Sequence, residues 1–223
     1  MTKARVVAFD IDGTLLQGQS GTLILKYLMT RRLVRIRTIA LCSWWGIRYK
    51  LHLPYRQNEP RERIFTDLSQ YTPEGIHRMM EMFHDDIMVP RYRADGIAKV
   101  KEHVAAGDHV ALVSATFEEV ARVAREYLGC ETCMGTVMER DESGRYTGAV
   151  AGETPAGEEK VRRIRSWADA TFGKDGWELV HAYGDHHTDA PMLQMAQTAH
   201  AVNPDVMLRC HAKRLGWEIL EWK

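Results

Sequence analysis

The chain has 223 residues, of which 45% are hydrophobic and 27% are charged. These values are typical of a globular protein and exclude disordered and collagen-like classes. The 30 basic and 30 acidic residues cancel, which excludes a polycationic nucleic-acid binder, and we expect no nucleic-acid partner. Four cysteines are too few for a disulfide framework, and the start MTKARVVAFD lacks the charged and then apolar run of a signal peptide. No apolar stretch approaches the roughly 20 residues of a membrane-spanning helix, so we expect a cytoplasmic protein.

The first element is a short β-branched run, Arg5 to Phe9, that stops at the polar segment Asp10-Ile-Asp-Gly-Thr14. Continuous apolar residues followed by a polar loop are typical of a buried parallel strand. Three later segments repeat the pattern: His109–Val113, Glu178–Tyr183 and Ala199–Val202. Helical periodicity fills the intervals, at Ala94–Ala106, Phe117–Leu128 and Glu158–Phe172. The alternation predicts a doubly wound, Rossmann-like α/β fold with a parallel sheet, in which ligands bind beyond the carboxyl ends of the strands.

A long interval after the first strand shows no clean strand pattern. Within it, apolar residues spaced by three and four predict one face of a helix: Leu33, Ile36, Ala40, Trp44, Ile47 and Leu51. A second helical stretch, rich in methionine, covers Ile76 to Met88. We therefore expect a helical cap over residues 17–90, inserted into a core made of residues 1–16 and 91–223. Further along, Asp141 to Gly148 predicts a β-hairpin at the sheet edge.

The predicted cap contains a basic stretch between Arg31 and Arg63. It has nine basic and two acidic residues, which gives a net charge of +7. Its basic members are Arg31, Arg32, Arg35, Arg37, Arg48, Lys50, Arg56, Arg61 and Arg63. Trp44 and Trp45 lie among them. Two interpretations stay open: an amphipathic cap helix with its apolar face on the cap core and a solvated basic side, or a surface for an anionic lipid or a basic funnel toward a site.

Polar residues with related chemistry follow the predicted strands. Asp10 and Asp12 share one loop, where like charges repel unless a cation lies between them, and Asp185 completes an oxygen-rich set suited to Mg²⁺. Ser114, beside the backbone amides of Ala115 and Thr116 at an expected helix start, is suited to bind a phosphate. Two further residues complete the set: Lys160, which supplies a positive charge for the same anion, and Asp189. A metal, a carboxylate nucleophile and an anion site together indicate phosphoryl transfer.

In its motifs the sequence resembles the haloacid dehalogenase-like hydrolases of subfamily IB, the phosphoserine-phosphatase-like branch with a helical cap after the first motif. The superfamily's DxDGT motif stands here as FDIDGTLL, and its strand ending in Ser or Thr stands as VALVSAT. The isolated lysine is best matched by Lys160 in GEEKVRRI, with Lys174 as the alternative. The last motif, GD followed by a later Asp, stands as YGDHHTDAPML. Order and spacing fit across the whole chain.

The resemblance implies a Mg²⁺-dependent phosphomonoesterase with a role for each matched residue. Asp10 would be the nucleophile that forms an aspartyl-phosphate, and Asp12 the acid that protonates the leaving oxygen and later activates water. Mg²⁺ would be held by the Asp10 carboxylate, the Asp12 backbone carbonyl and Asp185, with Asp189 behind them, orienting the metal shell or Lys160. Ser114, Ala115 and Lys160 would bind the phosphate.

The substrate and several side chains stay open at this point. A small zwitterion such as phosphoserine needs a cap carboxylate for its ammonium group, and none lies between Thr14 and Lys50. The basic stretch instead favours a lipid phosphate or a bulky anionic ester, with peripheral contact to an anionic membrane at its inner face. The alternatives are a phosphoserine phosphatase, a phosphatase of small phosphorylated alcohols, and a non-catalytic anion-binding module.

Two short motifs outside this set carry weaker expectations. His186 replaces the small residue that usually follows the GD of the last motif, and Thr188 replaces the Asn that usually precedes its last Asp. Adjacent histidines on a loop usually diverge, so we expect His186 and His187 to face solvent. The pair Cys130 and Cys133 lacks a second CxxC partner, which favours buried structural cysteines over a zinc site.

Overall fold

The computed structural model describes residues 3–51, 53–54, 56 and 58–223 of the chain. The side chains of residues 49 and 50 lie outside this description, and with them Lys50 of the basic stretch. The strands are β1 (Ala4–Phe9), β2 (His109–Phe117), β3 (Thr132–Thr136), β4 (Met138–Arg140), β5 (Tyr146–Val150), β6 (Trp177–Gly184), β7 (Thr198–Val202) and β8 (Glu218–Leu220). Six of them form one parallel sheet in the order β3-β2-β1-β6-β7-β8, while β4 and β5 pair with each other.

The helices are α1 (Ser20–Thr30), α2 (Ile36–Lys50), α3 (Glu59–Leu68), α4 (Pro73–Phe83), α5 (Ala94–Ala105), α6 (Glu118–Leu128), α7 (Glu158–Phe172), α8 (Ala190–Met195) and α9 (Val206–Leu215). The sheet is covered on both faces, because alternate residues of the central strand β1 belong to two separate buried clusters. Val7 and Phe9 pack in one cluster, and Val6 and Ala8 in the other. This confirms the doubly wound α/β fold.

Each predicted strand and core helix is present, but two short edge strands were not predicted. β3 has the sequence Thr-Cys-Met-Gly-Thr, without a continuous apolar run, and β8 has only three residues. Both pair at an edge of the sheet, where one side of the strand needs no partner. Neither segment carries enough local signal to be recognised without its neighbour.

In the described part of the chain, helices α1 to α4 lie between β1 and the core helix α5. The second predicted stretch, Ile76–Met88, is not one α-helix, because α4 ends at Phe83 and continues as a π-helical turn over His84–Met88. The chain leaves and re-enters the core side by side: Gln17 N donates to Arg91 O at 2.9 Å, and Arg93 N donates to Leu15 O at 2.8 Å. We propose this neck as the boundary between the core and the helical cap, close to residues 17 and 90.

The hairpin β4–β5 is present where it was predicted, but it does not extend the edge of the main sheet. It packs against α3 of the cap, where the rings of Phe65 and Tyr146 meet edge to face at 5.1 Å. Gly148 lies against Thr66, and a Cβ atom at this glycine would come within 3.0 Å of the Thr66 Cα atom. The hairpin therefore joins the cap to the core.

Helix α2 turns its apolar face outward rather than into the cap. Ile36, Trp44 and Leu51 are 84%, 52% and 63% exposed, whereas Thr38 and Cys42 on the opposite side are buried. Of the two interpretations left open, the one in which this face packs on the cap core is therefore wrong. Within the described residues, no helix combines the length and apolar character that crossing a bilayer requires.

Candidate active site

The carboxyl ends of β1 and β6 bring the first candidate residues together. Asp10 directly follows β1, and its backbone N–H donates to Tyr183 O of β6 at 2.9 Å. Lys160, in the first turn of α7, places its Nζ atom 2.5 Å from Asp10 Oδ1, and both side chains are buried. Lys174, the alternative lysine, is exposed beyond the end of α7. Sequence alone left this choice open, and the geometry places Lys160 at Asp10.

Charge and burial act against each other in this pair. Burial raises the pKa of Asp10 well above its ordinary value, and the positive charge of Lys160 only partly opposes the rise. Burial alone would lower the pKa of Lys160, but the charges of Asp10 and Asp189 outweigh it and raise that pKa. An ionised Asp10 therefore depends on the cations around it.

Asp12 faces away from this cluster and is held by the start of α1. The Ser20 backbone N–H donates to Asp12 Oδ1 at 2.8 Å, and the Ser20 hydroxyl donates to Oδ2 at 2.7 Å. The Ser20 oxygen also lies 2.7 Å from Thr116 Oγ1 of β2. Burial raises the pKa of Asp12, although the hydrogen bonds from Ser20 work in the opposite direction. A raised pKa suits a group that must hold a proton near neutral pH.

Asp185 follows β6 and reaches back over the loop after β1. The Thr14 hydroxyl donates to Asp185 Oδ1 at 3.2 Å. Gly13, at a φ of +87°, leaves the space for this approach, because a Cβ atom there would lie 2.0 Å from Asp185 Oδ2. Burial first, and then the charge of Asp189, raise the pKa of Asp185 to about 7. A carboxylate held in this environment is stabilised in its charged form by a nearby cation.

Asp189 lies behind Lys160. Its Oδ1 atom is 2.7 Å from Lys160 Nζ, and the His186 backbone N–H donates to its Oδ2 atom at 3.2 Å. Gly184 permits this packing, since a Cβ atom there would come within 2.7 Å of the Asp189 Cβ atom. The arrangement agrees with a residue that orients Lys160.

The carboxylates form a set that fits a hard divalent cation. One oxygen atom each from Asp10, Asp185 and Asp189 lies within 4.8 Å of the other two. Three carboxylates beside one lysine leave excess negative charge in a largely buried place, and oxygen ligands of this kind are those that Mg²⁺ takes. Because the Asp12 carboxylate is turned toward Ser20, its backbone carbonyl is the group it could offer to a metal.

Ser114 and Ala115 lie at the adjacent strand end, but not at a helix start. Strand β2 continues to Phe117 and α6 begins only at Glu118, so the expected position of Ser114 at the helix N-terminus is wrong. Ser114 is buried, and its Oγ atom accepts a hydrogen bond from Thr116 N at 3.3 Å. Phosphate contacts here would come from the hydroxyl and the strand-end amides rather than from a helix end.

Arg61 of α3 is a residue that the sequence analysis counted only as part of the basic stretch. Its guanidinium donates to Ala115 O at 3.0 Å, and its charge acts to lower the pKa of Asp12. The cap therefore brings a positive charge to the strand ends. The signal missed in the sequence is small: Arg61 differs from its neighbours only in its place on the inward face of α3.

Four other members of the basic stretch have acidic partners among the described residues. Ion pairs join Arg31 to Asp86 at 2.7 Å, Arg48 to Glu59 at 2.5 Å and Arg56 to Glu62 at 3.0 Å. Arg35 lies 3.5 Å from Asp67. Two of these carboxylates, Asp67 and Asp86, lie outside the stretch, so the positive charge seen in the sequence is partly balanced in the fold.

His186 and His187 do not diverge into solvent as expected. His187 Nδ1 lies 3.0 Å from Asp205 Oδ2, and His186 Nε2 lies 3.5 Å from the same oxygen. Cys130 and Cys133 are a buried and a half-buried free thiol. Burial raises the pKa of Cys133 to about 11 and that of Cys130 to about 12, as expected for unreactive structural cysteines.

Comparisons with known proteins show the family and the fold. A model of the haloacid dehalogenase-like hydrolase family matches residues 7–194. Phosphoserine phosphatase SerB1 of Mycobacterium tuberculosis (strain ATCC 25618 / H37Rv) is 30% identical over 221 residues, covering 96% of this chain and 70% of that protein. The histidinol-phosphatase of Neisseria meningitidis serogroup C (strain 8013) is 26% identical, covering 96% and 97%. The crystal structure of a protein of unknown function from Bordetella pertussis Tohama I matches with a TM-score of 0.88 at 27% identity, covering 99% of both chains.

Proposed function

Because this chain belongs to the haloacid dehalogenase-like hydrolase family and is a phosphatase, we propose that it is a Mg²⁺-dependent phosphomonoesterase working through an aspartyl-phosphate. The observation that carries the proposal is the buried contact of Lys160 Nζ with Asp10 Oδ1 at 2.5 Å, beside Asp185 and Asp189. The proposal is supported because a carboxylate suited to act as the nucleophile, a positive charge and oxygen atoms suited to a cation lie close together.

In the first step Asp10 attacks the phosphorus atom and the bond from phosphorus to the leaving oxygen breaks. Asp12 gives its proton to that oxygen, so the alcohol leaves neutral and Asp10 carries the phosphoryl group. Water then attacks the phosphorus, Asp12 takes its proton, and phosphate leaves with Asp10 restored. Lys160 and the polar groups of Ser114 and Ala115 bind the phosphoryl oxygens through both steps.

Asp12 is suited to this exchange because Ser20 fixes its carboxyl group with two hydrogen bonds and burial raises its pKa. A bound Mg²⁺ would neutralise charge on the phosphoryl oxygens and on the carboxylates. Its ligands would be the Asp10 and Asp185 carboxylates and the Asp12 carbonyl, while Asp189 orients Lys160.

The reaction is tested with purified protein, p-nitrophenyl phosphate and Mg²⁺. We expect Asp10→Asn to lower kcat by at least about 10³-fold, because an amide neither attacks nor carries the phosphoryl group. Asp175→Asn, at an exposed loop position, is the matched control and should retain the wild-type rate. Wild-type turnover by a folded Asp10→Asn protein would refute the proposal.

The metal is tested by binding as well as by turnover. We expect Mg²⁺ to raise the melting temperature of the wild type and much less that of Asp185→Asn, since an ion that binds only the folded state stabilises it. A chelator should stop turnover and Mg²⁺ restore it, with Ca²⁺ a poor substitute because its looser shell misplaces the nucleophile. Full activity in excess chelator would contradict Mg²⁺ dependence.

For the substrate we propose a small phosphorylated alcohol, with an amino group favoured. A cavity of about 410 Å³ opens between Asn58 at the cap and the segment 152–159 that precedes Lys160, and Glu153 and Glu158 line it. The carboxylates of these two residues could bind the ammonium group of such a substrate, for which the cap offers no carboxylate between Thr14 and Lys50. The names of the two curated relatives denote small phosphorylated compounds that carry an amino group.

The specificity is tested by kcat/KM on phosphoserine, histidinol phosphate and glycerol phosphate. We expect the amino compounds to be preferred, and Glu158→Gln to weaken that preference without changing kcat/KM for glycerol phosphate. Glu142→Gln, on the exposed turn between β4 and β5, is the control. Equal kcat/KM for all three compounds would contradict a site for an ammonium group.

A second candidate, a lipid phosphate met at an anionic membrane, is favoured by the exposed apolar face of α2 with Arg35 and Arg37 beside it. Such contact would be peripheral and would weaken with salt. Co-sedimentation with vesicles containing phosphatidylglycerol, at low and high salt, separates the two candidates. Binding that is lost in Trp44→Ser, together with turnover of a vesicle-borne phosphate, supports the lipid; wild-type protein in the supernatant at both salts excludes it.

A further inference from the structure

We propose that His186, His187 and Asp205 form a second metal site, suited to Zn²⁺ or a similar transition-metal ion and distinct from the proposed Mg²⁺ site. His187 Nδ1 and His186 Nε2 lie 3.0 Å and 3.5 Å from Asp205 Oδ2. The three ligand atoms lie within 4.8 Å of one another, and all three residues are half-buried.

The spacing matches a tetrahedral ion. With metal–ligand distances of about 2.1 Å, two ligands of a tetrahedral site lie about 3.4 Å apart. The two measured nitrogen–oxygen distances bracket this value. Small changes in the side-chain torsions therefore suffice to bring the two imidazoles and the carboxylate around one ion.

The carboxylate is already fixed in place. Asp205 caps α9 by accepting a hydrogen bond from Leu208 N at 2.6 Å on Oδ1, which leaves Oδ2 toward the histidines. The His187 backbone N–H donates to that Oδ2 at 3.2 Å. The Asp205 N–H donates to Asp185 O at 2.8 Å, which joins the two loops. A fixed ligand lowers the entropy lost on metal binding.

The imidazole of His186 also has a hydrogen-bond partner at its other ring nitrogen, as metal-binding histidines usually do. His186 Nδ1 lies 2.9 Å from Thr188 Oγ1 and accepts a long hydrogen bond from Thr188 N at 3.4 Å. With the proton on Nδ1 instead, the ring gives up that long bond, donates to the Thr188 hydroxyl, and leaves Nε2 to bind the ion. Thr188 thus gives a reason for the two residues, His186 and Thr188, that depart from the family's usual last motif.

The ligand types separate the two sites. Two imidazoles and one carboxylate select a borderline ion such as Zn²⁺, whereas Mg²⁺ prefers oxygen ligands alone. Three protein ligands leave one position open for water or another ligand. His186 directly follows Asp185, so an ion bound here lies next to the proposed Mg²⁺ site.

The test is isothermal titration of untagged protein with Zn²⁺ in excess Mg²⁺, which occupies the carboxylate site. We expect one Zn²⁺ to bind, and His187→Ala and His186→Ala each to weaken its binding by at least about 100-fold, because losing a ligand costs no less than the roughly 10–100-fold seen when a ligand loses its outer hydrogen-bond partner. Asp205→Asn keeps the helix cap and should weaken binding as well. His77→Ala is the matched control, because His77 is also partly exposed and lies 3.6 Å from a carboxylate of Glu81.

A second measurement does not depend on the variants folding. In wild-type protein with labelled histidine, one equivalent of Zn²⁺ should shift the imidazole signals of His186 and His187 and leave that of His77 unchanged. Unaltered Zn²⁺ affinity in folded His186→Ala and His187→Ala proteins, or Zn²⁺ binding abolished by Mg²⁺, would overturn the proposal. So would wild-type protein that binds no Zn²⁺ in either measurement.

Discussion

The ammonium group of Lys160 lies 2.5 Å from one carboxylate oxygen of Asp10, in a place where both side chains are buried. The same nitrogen lies 2.7 Å from Asp189 Oδ1. Lys160 therefore balances two buried carboxylates as well as standing beside the proposed phosphoryl position. Its removal should change stability and turnover together.

We predict that Lys160→Met destabilises the fold by about 3 kcal/mol, because a buried ion pair that loses one partner leaves an uncompensated charge. Mg²⁺ should recover part of this loss. Urea unfolding with and without Mg²⁺ measures it, with Lys174→Met as the exposed control. Equal unfolding free energies for Lys160→Met and wild type would show that the pair contributes nothing to the fold.

The contacts between Ser20 and Asp12 predict an effect that depends on the leaving group. Asp12→Asn should lower kcat/KM, which reports the step that releases the leaving group, by about 10²–10⁴-fold for an alkyl phosphate but much less for p-nitrophenyl phosphate, since a good leaving group needs no proton. Ser20→Ala removes one of the two hydrogen bonds and should show the same pattern at smaller size. Ser43→Ala, on the exposed side of α2, is the control. An equal loss of kcat/KM for both substrates would contradict the role of Asp12 as the acid.

Arg61 should act on substrate binding through the cap. We predict that Arg61→Ala raises KM by about tenfold. A hydrogen bond from its charged guanidinium to the substrate would contribute about 1.5 kcal/mol to binding. Arg63→Ala, an exposed residue of the same helix, should leave KM unchanged. An Arg61→Ala protein with wild-type KM and kcat would mean that the contact with Ala115 only supports the cap.

A buried network far from the site predicts how stability depends on pH. Asp108 Oδ1 accepts from Arg5 at 2.7 Å, and its Oδ2 lies 2.8 Å from His103 Nδ1. Burial alone would raise the pKa of Asp108, but these partners outweigh it and hold the pKa below its ordinary value. Because the folded-state pKa is lowered, the stabilisation is complete above the ordinary carboxyl pKa of about 3.9 and is lost as the pH falls below it.

We therefore predict that Asp108→Asn loses about 2 kcal/mol of unfolding free energy at neutral pH, with a smaller difference from wild type toward pH 3. Denaturant unfolding between pH 3 and 7 checks this, with Asp175→Asn as control. A difference that does not depend on pH would assign the loss to packing rather than to the charge.

Much of the fold could be predicted from the sequence, because its signals are local. The run from Val6 to Phe9 is apolar on both faces, which requires a central strand covered on both sides. By contrast, the orientation of α2 could not be predicted, since Ile36, Trp44 and Leu51 have the spacing of a packed face although they are exposed. Only the surrounding structure decides which face is covered.

In the candidate site, too, some residues could be predicted from the sequence and others could not. Asp10 and Asp185 follow strands, and parallel strands bring their carboxyl ends to one edge, so their proximity could be inferred from order alone. Arg61 could not be found, because its position depends on how α3 packs over the core. The convergence of His186 and His187 on Asp205 depends on a contact across 18 residues that no local pattern encodes.

The central claim is that Asp10 carries the phosphoryl group, and trapping that group tests it most directly. Wild-type protein is mixed with substrate and Mg²⁺, quenched in acid and reduced with borohydride, which converts an acyl phosphate to an alcohol. Peptide mass spectrometry should then find homoserine at position 10, at a level that rises with substrate and is absent without it. Unmodified Asp10 under conditions of rapid turnover, with the label on another residue or on none, would contradict the account.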